Sequence, residues 1–116
     1  MTCRRDITIR ADAQWNEAFW LVRGTLPIDL TGKTLELYVR PRFDNVTLIH
    51  KLSSATGEIV IDSATKGAAH IFLAAADVAA VLPVGVWQQF LRLVNGPGDI
   101  EEIWRGQLTV DAGLTS

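Results

Sequence analysis

One cysteine, Cys3, occurs in 116 residues. A lone thiol excludes an internal disulfide and suits a reducing cytoplasm while the chain is made. Histidine is almost as scarce. His50 and His70 fall on separate predicted strands with no Cys or carboxylate at zinc-like spacing, so no metal site is expected. Neither sign of charge dominates: 11 Lys and Arg face 13 Asp and Glu, a net charge of −2. That balance excludes a general field for drawing in nucleic acid or an anionic membrane surface. Long apolar runs are missing too. The longest uncharged stretch, Val78 to Leu91, contains Pro83 and Gly85 and is too short to cross a bilayer. Met1-Thr2-Cys3-Arg4-Arg5-Asp6 leads into an alternating segment, not an apolar run, so no secretory signal is read.

Catalytic constellations are absent as well. Cys3 has neither a predicted helix N-terminus to lower its pKa nor a motif linking it to a histidine. Glu101 and Glu102 are neighbours and point to opposite faces of a strand, which rules out a facing acid/base pair. Asn95-Gly96-Pro97-Gly98 lacks a phosphate-loop Lys and a following helix, so it reads as a turn. A small hydrolase therefore has no nucleophile–base pair to use. No catalytic, cofactor-binding or metal-binding residue is assigned.

What the chain has is alternation. From Pro83 to Val110 it reads as two strands of roughly ten residues each, joined by the Asn95–Asp99 turn. Trp87, Gln89, Leu91 and Leu93 share one face of the first; Trp104, Gly106, Leu108 and Val110 share one face of the second. Earlier segments repeat the pattern. They are Asp6–Arg10, Trp15–Arg23, Thr34–Arg40 (with Leu35, Leu37 and Val39 inward), Val46–Leu52 (with Leu48 and Leu52 inward), Glu58–Asp62 and Gly67–Leu73. In the connection before Thr34, Asp29 is placed to bond nearby backbone N–H groups and Gly32 to take positive φ. Ala74 to Leu82 is the one helical candidate, closed by Pro83 and too short to stand alone, hence a connector between sheets.

Seven or eight short strands, with turn signals about every eight to twelve residues and one helical turn, predict a single domain over residues 1–116. The expected architecture is an all-β, immunoglobulin-like antiparallel β-sandwich without the Cys-Trp-Cys hallmark of antibody domains. Trp87 and Trp104 are expected in its core. Trp20 lies opposite Phe19 and Leu21, and Phe90 opposite Leu91, so these two aromatics are expected on outer faces. Exposed aromatics on a flat sheet mark a protein interface or a carbohydrate platform. For a sugar, Gln88, Arg92 and Tyr38 would supply the polar groups. The protein interface, at Trp20 and Phe90, is the favoured reading.

Pro27-Ile28-Asp29-Leu30-Thr31-Gly32-Lys33-Thr34, followed by Leu35-Glu36-Leu37-Tyr38-Val39-Arg40, resembles a family of small tail-associated proteins of tailed bacteriophages and prophages. The same domain begins some baseplate upper proteins that carry receptor-binding parts. The likeness extends to Asp6-Ile7-Thr8-Ile9, to Gly67–Leu73, to Leu82-Pro83-Val84-Gly85-Val86-Trp87 and to Arg105–Val110. Trp87-Gln88-Gln89-Phe90 departs from it, since such proteins more often have Tyr followed by an acidic residue there. The resemblance implies an immunoglobulin-like fold and no catalytic residues. It implies a structural role in a virion, as a tail, baseplate or tail-fibre adaptor made in the bacterial host cytoplasm. Partners would be other virion proteins, in multiple copies of a symmetric assembly, with neither nucleic acid nor membrane. The alternative is a carbohydrate-binding module displayed on a virion.

Overall fold

A computed structural model describes residues 3–41 and 49–111 of the chain. The strands are, in order, β1 (Cys3–Arg4), β2 (Ile7–Arg10), β3 (Trp15–Trp20), β4 (Val22–Arg23), β5 (Leu26–Pro27), β6 (Thr34–Pro41), β7 (His50–Ser53), β8 (Ile59–Ser63), β9 (Ala68–Leu73), β10 (Gly85–Gly96) and β11 (Asp99–Asp111). One helix, α1 (Ala75–Val81), separates β9 from β10. The larger sheet runs β1-β11-β10-β6-β7, with β2 also beside β11; the smaller runs β3-β9-β8. β4 and β5 form a separate two-stranded ribbon. The helix spans the passage from the small sheet to the large one and buries only Val78. It is the connector its length predicts.

Alternation decides what lies inside. Leu35, Leu37 and Val39 of β6 are fully buried, as are Leu91 and Leu93 of β10. Leu37 pairs with Leu91 on one side and with Leu52 on the other, so the inward row runs straight across three strands. Trp104, Leu108 and Val110 of β11 extend it to the edge, where Ile7 and Ile9 close it. Trp15, Phe19, Ile59, Ala69, Ile71 and Leu73 of the small sheet belong to the same buried cluster. Phe19 meets Trp104 edge to face, ring centroids 5.0 Å apart, so the sheets touch through aromatic rings.

A polar seam crosses this core. Gln89 is fully buried; its Nε2 donates to the Arg5 carbonyl at 2.6 Å, and its Oε1 accepts from Trp104 Nε1 at 2.7 Å. Arg5 in turn lays its guanidinium over the Trp104 ring and pairs with Glu17 at 2.6 Å; Glu17 also accepts from Trp15 Nε1. Gly106 makes the approach possible, because a Cβ there would overlap the Arg5 carbonyl. Among the described residues no buried side-chain nitrogen or oxygen lacks a partner.

Several expectations need correction. The sheets are not wholly antiparallel: β1 and β2 run parallel to β11, with Arg4 opposite Arg105 and Ile7 opposite Leu108. Alternation reads the same in either direction, so only the register reveals it. The described residues hold eleven strand segments, not seven or eight. The stretch from Trp15 to Arg23 is two strands. β9 starts at Ala68, so the small sheet's ladder ends once Leu21 N–H reaches the Gly67 carbonyl. Val22 and Arg23 then pair back on Leu26 and Pro27. Trp87 packs against the core only partly buried, its Nε1 bound to the Pro83 carbonyl. The expected start of a strand at Val46, and the inward Leu48, lie outside the described residues.

Candidate functional site

Two outer sheet faces carry the aromatics singled out from the sequence, and they differ. On the small sheet Trp20 stands opposite Ala68, Ala18 opposite His70, and Asn16 opposite Phe72. Val60 adjoins His70 on the far side. Trp20 is 67% exposed, Phe72 40% and Val60 39%. The cause is local: Ala18, two residues back on the same face, and Ala68, across the strand, are too short to cover an indole. The outside of the three strands thus carries Trp20, Phe72 and Val60 as separate exposed apolar groups, with the His70–Asp62 pair among them.

The large sheet's outer face is built differently. Phe90 pairs across to Tyr38 and to Arg105. Its ring stacks on Tyr38 with centroids 5.2 Å apart and planes 5° from parallel. Among the described residues four cations lie within 5.8 Å of these rings: Arg92 and Lys51 over Tyr38, Arg105 over Phe90, and Arg40 over both. Glu36 accepts from the Tyr38 hydroxyl at 3.1 Å and lies 3.5 Å from Lys51. Glu102 pairs with Arg105 at 2.8 Å. Residues three apart on a regular strand face opposite ways. Here the bulge at Ile103, between the Leu91–Trp104 and Arg92–Glu102 pairs, puts Glu102 beside Arg105. Phe90 is thus outside the core but half-covered, whereas Trp20 is bare.

The histidines lie on separate strands, β7 and β9, each beside one carboxylate. His50 Nε2 lies 2.7 Å from Glu58 Oε2, and His70 Nδ1 2.9 Å from Asp62 Oδ2. Among the described residues no group of three or more His, Cys, Asp or Glu could hold a metal ion. Glu101 and Glu102 do sit on opposite faces; Glu101 binds Arg23 of β4. The side chain of Cys3 is outside the described set. Two carboxylates are held below their ordinary range. Asp6 is lowered chiefly by the Gln107 N–H donating to it at 2.9 Å, and Asp29 by the hydroxyl and N–H of Thr31.

The polar groups a sugar would need are unevenly placed. Gln88, Arg92 and Tyr38 share the large sheet with Phe90, not the small sheet with Trp20. The Phe90 ring already stacks on Tyr38 and carries Arg105 over it. Sequence reasoning identified both aromatics but not the Tyr38–Phe90 pairing or its ring of cations. Arg40, Lys51, Arg92 and Arg105 come from four strands, and their convergence depends on register. No helix among the described residues is long and apolar enough to cross a membrane. No protein-family model and no curated protein matches the chain.

Proposed function

We propose that this chain is a non-enzymatic structural protein of a bacteriophage virion, an adaptor in the tail or attachment apparatus that works through protein–protein contacts. The observation that carries the reading is the exposure of Trp20, 67% on the outer face of the small sheet. An aromatic left bare on a flat sheet, with Phe72 and Val60 also exposed on that face, supports an interface centre. The resemblance at Pro27–Arg40 and at Leu82–Trp87 supplies the virion.

The fold proposed with it is an immunoglobulin-like sandwich. Its support is the strand order. β3-β9-β8 follows the B-E-D order of such domains, and β11-β10-β6-β7 follows G-F-C-C′, with one buried cluster contributed by both sheets.

The test separates folding from assembly. Trp20→Ala removes an exposed ring and is expected to change stability by under about 0.5 kcal/mol. A buried aromatic at an interface centre commonly costs about 2 kcal/mol or more when truncated. The variant should therefore keep its thermal midpoint and be depleted from purified particles about thirty-fold. Incorporation equal to the parent's would overturn the reading. Glycan-array binding lost on Trp20→Ala would replace it with the carbohydrate module.

A further inference from the structure

We infer that the open edge of β3 pairs with the same edge of a second copy of this chain, joining two small sheets into one across a two-fold axis. The inference rests on the proposed function only in that the Trp20 face meets a partner, and it names that partner. Hydrogen-bond parity carries it. Leu21 N–H donates to the Gly67 carbonyl, and Phe72 N–H to the Glu58 carbonyl on the β8 side. With Glu17 opposite Ile71 and Phe19 opposite Ala69, the odd-numbered residues of β3 therefore bond β9. The N–H and C=O groups of Asn16, Ala18 and Trp20 point the other way, where no described strand lies. In an immunoglobulin-type sheet the first strand fills that place. Here β1 and β2 both lie on β11 instead.

The edge is also unguarded. β3 has no Pro, Lys or bulge, whereas β8, at the sheet's other edge, is interrupted by a bulge at Asp62. Its one charge, Glu17, points inward and is paired with Arg5. A second copy fits these side chains. The antiparallel register centred on Ala18 uses all three open residues of each copy, about six hydrogen bonds, since each residue gives one donor and one acceptor. It sets Ala18 against Ala18 of the other copy and Trp20 against Asn16. Each indole then reaches diagonally over the small Ala18 of the other copy. On the inner face Glu17 meets Phe19 of the other copy and not its own counterpart, so no like charges are opposed. Such an interface is isologous and closes at two copies.

The experiment uses the full chain in reducing buffer. Sedimentation velocity should show a monomer–dimer equilibrium with dimer present at about 100 μM, the weak end expected of a small interface. Amide exchange on the same samples identifies the surface and needs no variant. Ala18 and Trp20 N–H groups should gain protection as concentration rises, while those of Glu17 and Phe19, bonded to β9, exchange slowly throughout. Ala18→Lys opposes like charges at the axis and should weaken dimerisation at least about tenfold, with an unchanged thermal midpoint in dilute solution. Ala79→Lys, on the exposed side of α1, should leave dimerisation unaltered. A chain still monomeric at about 1 mM, a dimer in which the Ala18 and Trp20 amides stay unprotected, or one indifferent to Ala18→Lys would each overturn the inference. Particle incorporation of Trp20→Ala is scored separately. Normal incorporation alongside dimers formed through β3 counts against the virion reading and for this one; depletion of that variant when the parent chain is monomeric counts the other way.

Discussion

Gln89 is the residue on which most of the buried polar chemistry turns. It satisfies the Trp104 indole N–H and the Arg5 carbonyl at once, in a fully buried site. Gln89→Leu keeps the volume and strips both partners, each orphaned group costing about 1–3 kcal/mol. Urea denaturation should place that variant several kcal/mol below the parent; equal midpoints would mean the seam relaxes freely. Asp6 belongs to the same crossing, holding the Gln107 N–H where the parallel ladder is interrupted. Because its folded-state pKa is lowered, its stabilisation is complete above the ordinary Asp value of 3.8 and fades as pH falls through the depressed folded value. The thermal midpoint should therefore drop on acidification below about pH 4, and less steeply in Asp6→Asn than in the parent.

Strands β6 and β10 show how far period-two alternation reaches. Leu37 is fully buried between Leu91 and Leu52, and truncation to Ala should cost about 2–5 kcal/mol. Glu36, one residue away on the outer face, holds only Tyr38 and Lys51, and its truncation should cost under about 1 kcal/mol. A larger loss at Glu36 than at Leu37 would reverse the register. In β11 the alternation is broken on purpose by Ile103. Deleting that residue joins Glu102 directly to Trp104 and leaves it opposite Arg92 on the outer face, in a regular ladder with no side chain reversed. The expected loss is that of the partly buried Ile103 side chain, about 1–2 kcal/mol by urea denaturation. A loss above about 4 kcal/mol would show that Asp99–Glu102 had turned to the other face.

At the scale of the molecule, the N-terminal segment is the closing element. β1 and β2 cover the outer edge of β11, the last long strand, and the Arg5 carbonyl between them enters the core over Gly106. Removing residues 1–6 takes away that acceptor, the Arg5–Glu17 pair and the Asp6 bridge together. The truncated chain should melt below the Gln89→Leu variant, a comparison that differential scanning calorimetry makes directly. A truncated chain as stable as the parent would reduce β1 to a passenger. On the proposed function the outer face at Trp20 serves association and not folding, so Trp20→Ala and Gln89→Leu should behave oppositely in melting and in assembly.

Inward and outward rows, the helical connector and the turn chemistry were all legible in the chain. Alternation put Leu35, Leu37, Val39, Leu91 and Leu93 inside and Trp20 outside, because side chains of a strand have only two directions. Asp29 does accept the Thr31 N–H at 2.9 Å and Gly32 does take φ +72, since short polar side chains and missing Cβ atoms act locally. The tertiary structure alone decided which rows meet. Arg5 reaches Gln89 across 84 positions, and Tyr38 stacks on Phe90 because one cross-strand register, out of several that would bury the same leucines, aligns them. The split at Leu21, the parallel edge and the bulge at Ile103 arose the same way. Each depends on where a distant partner strand begins or ends, and period two carries no information about that.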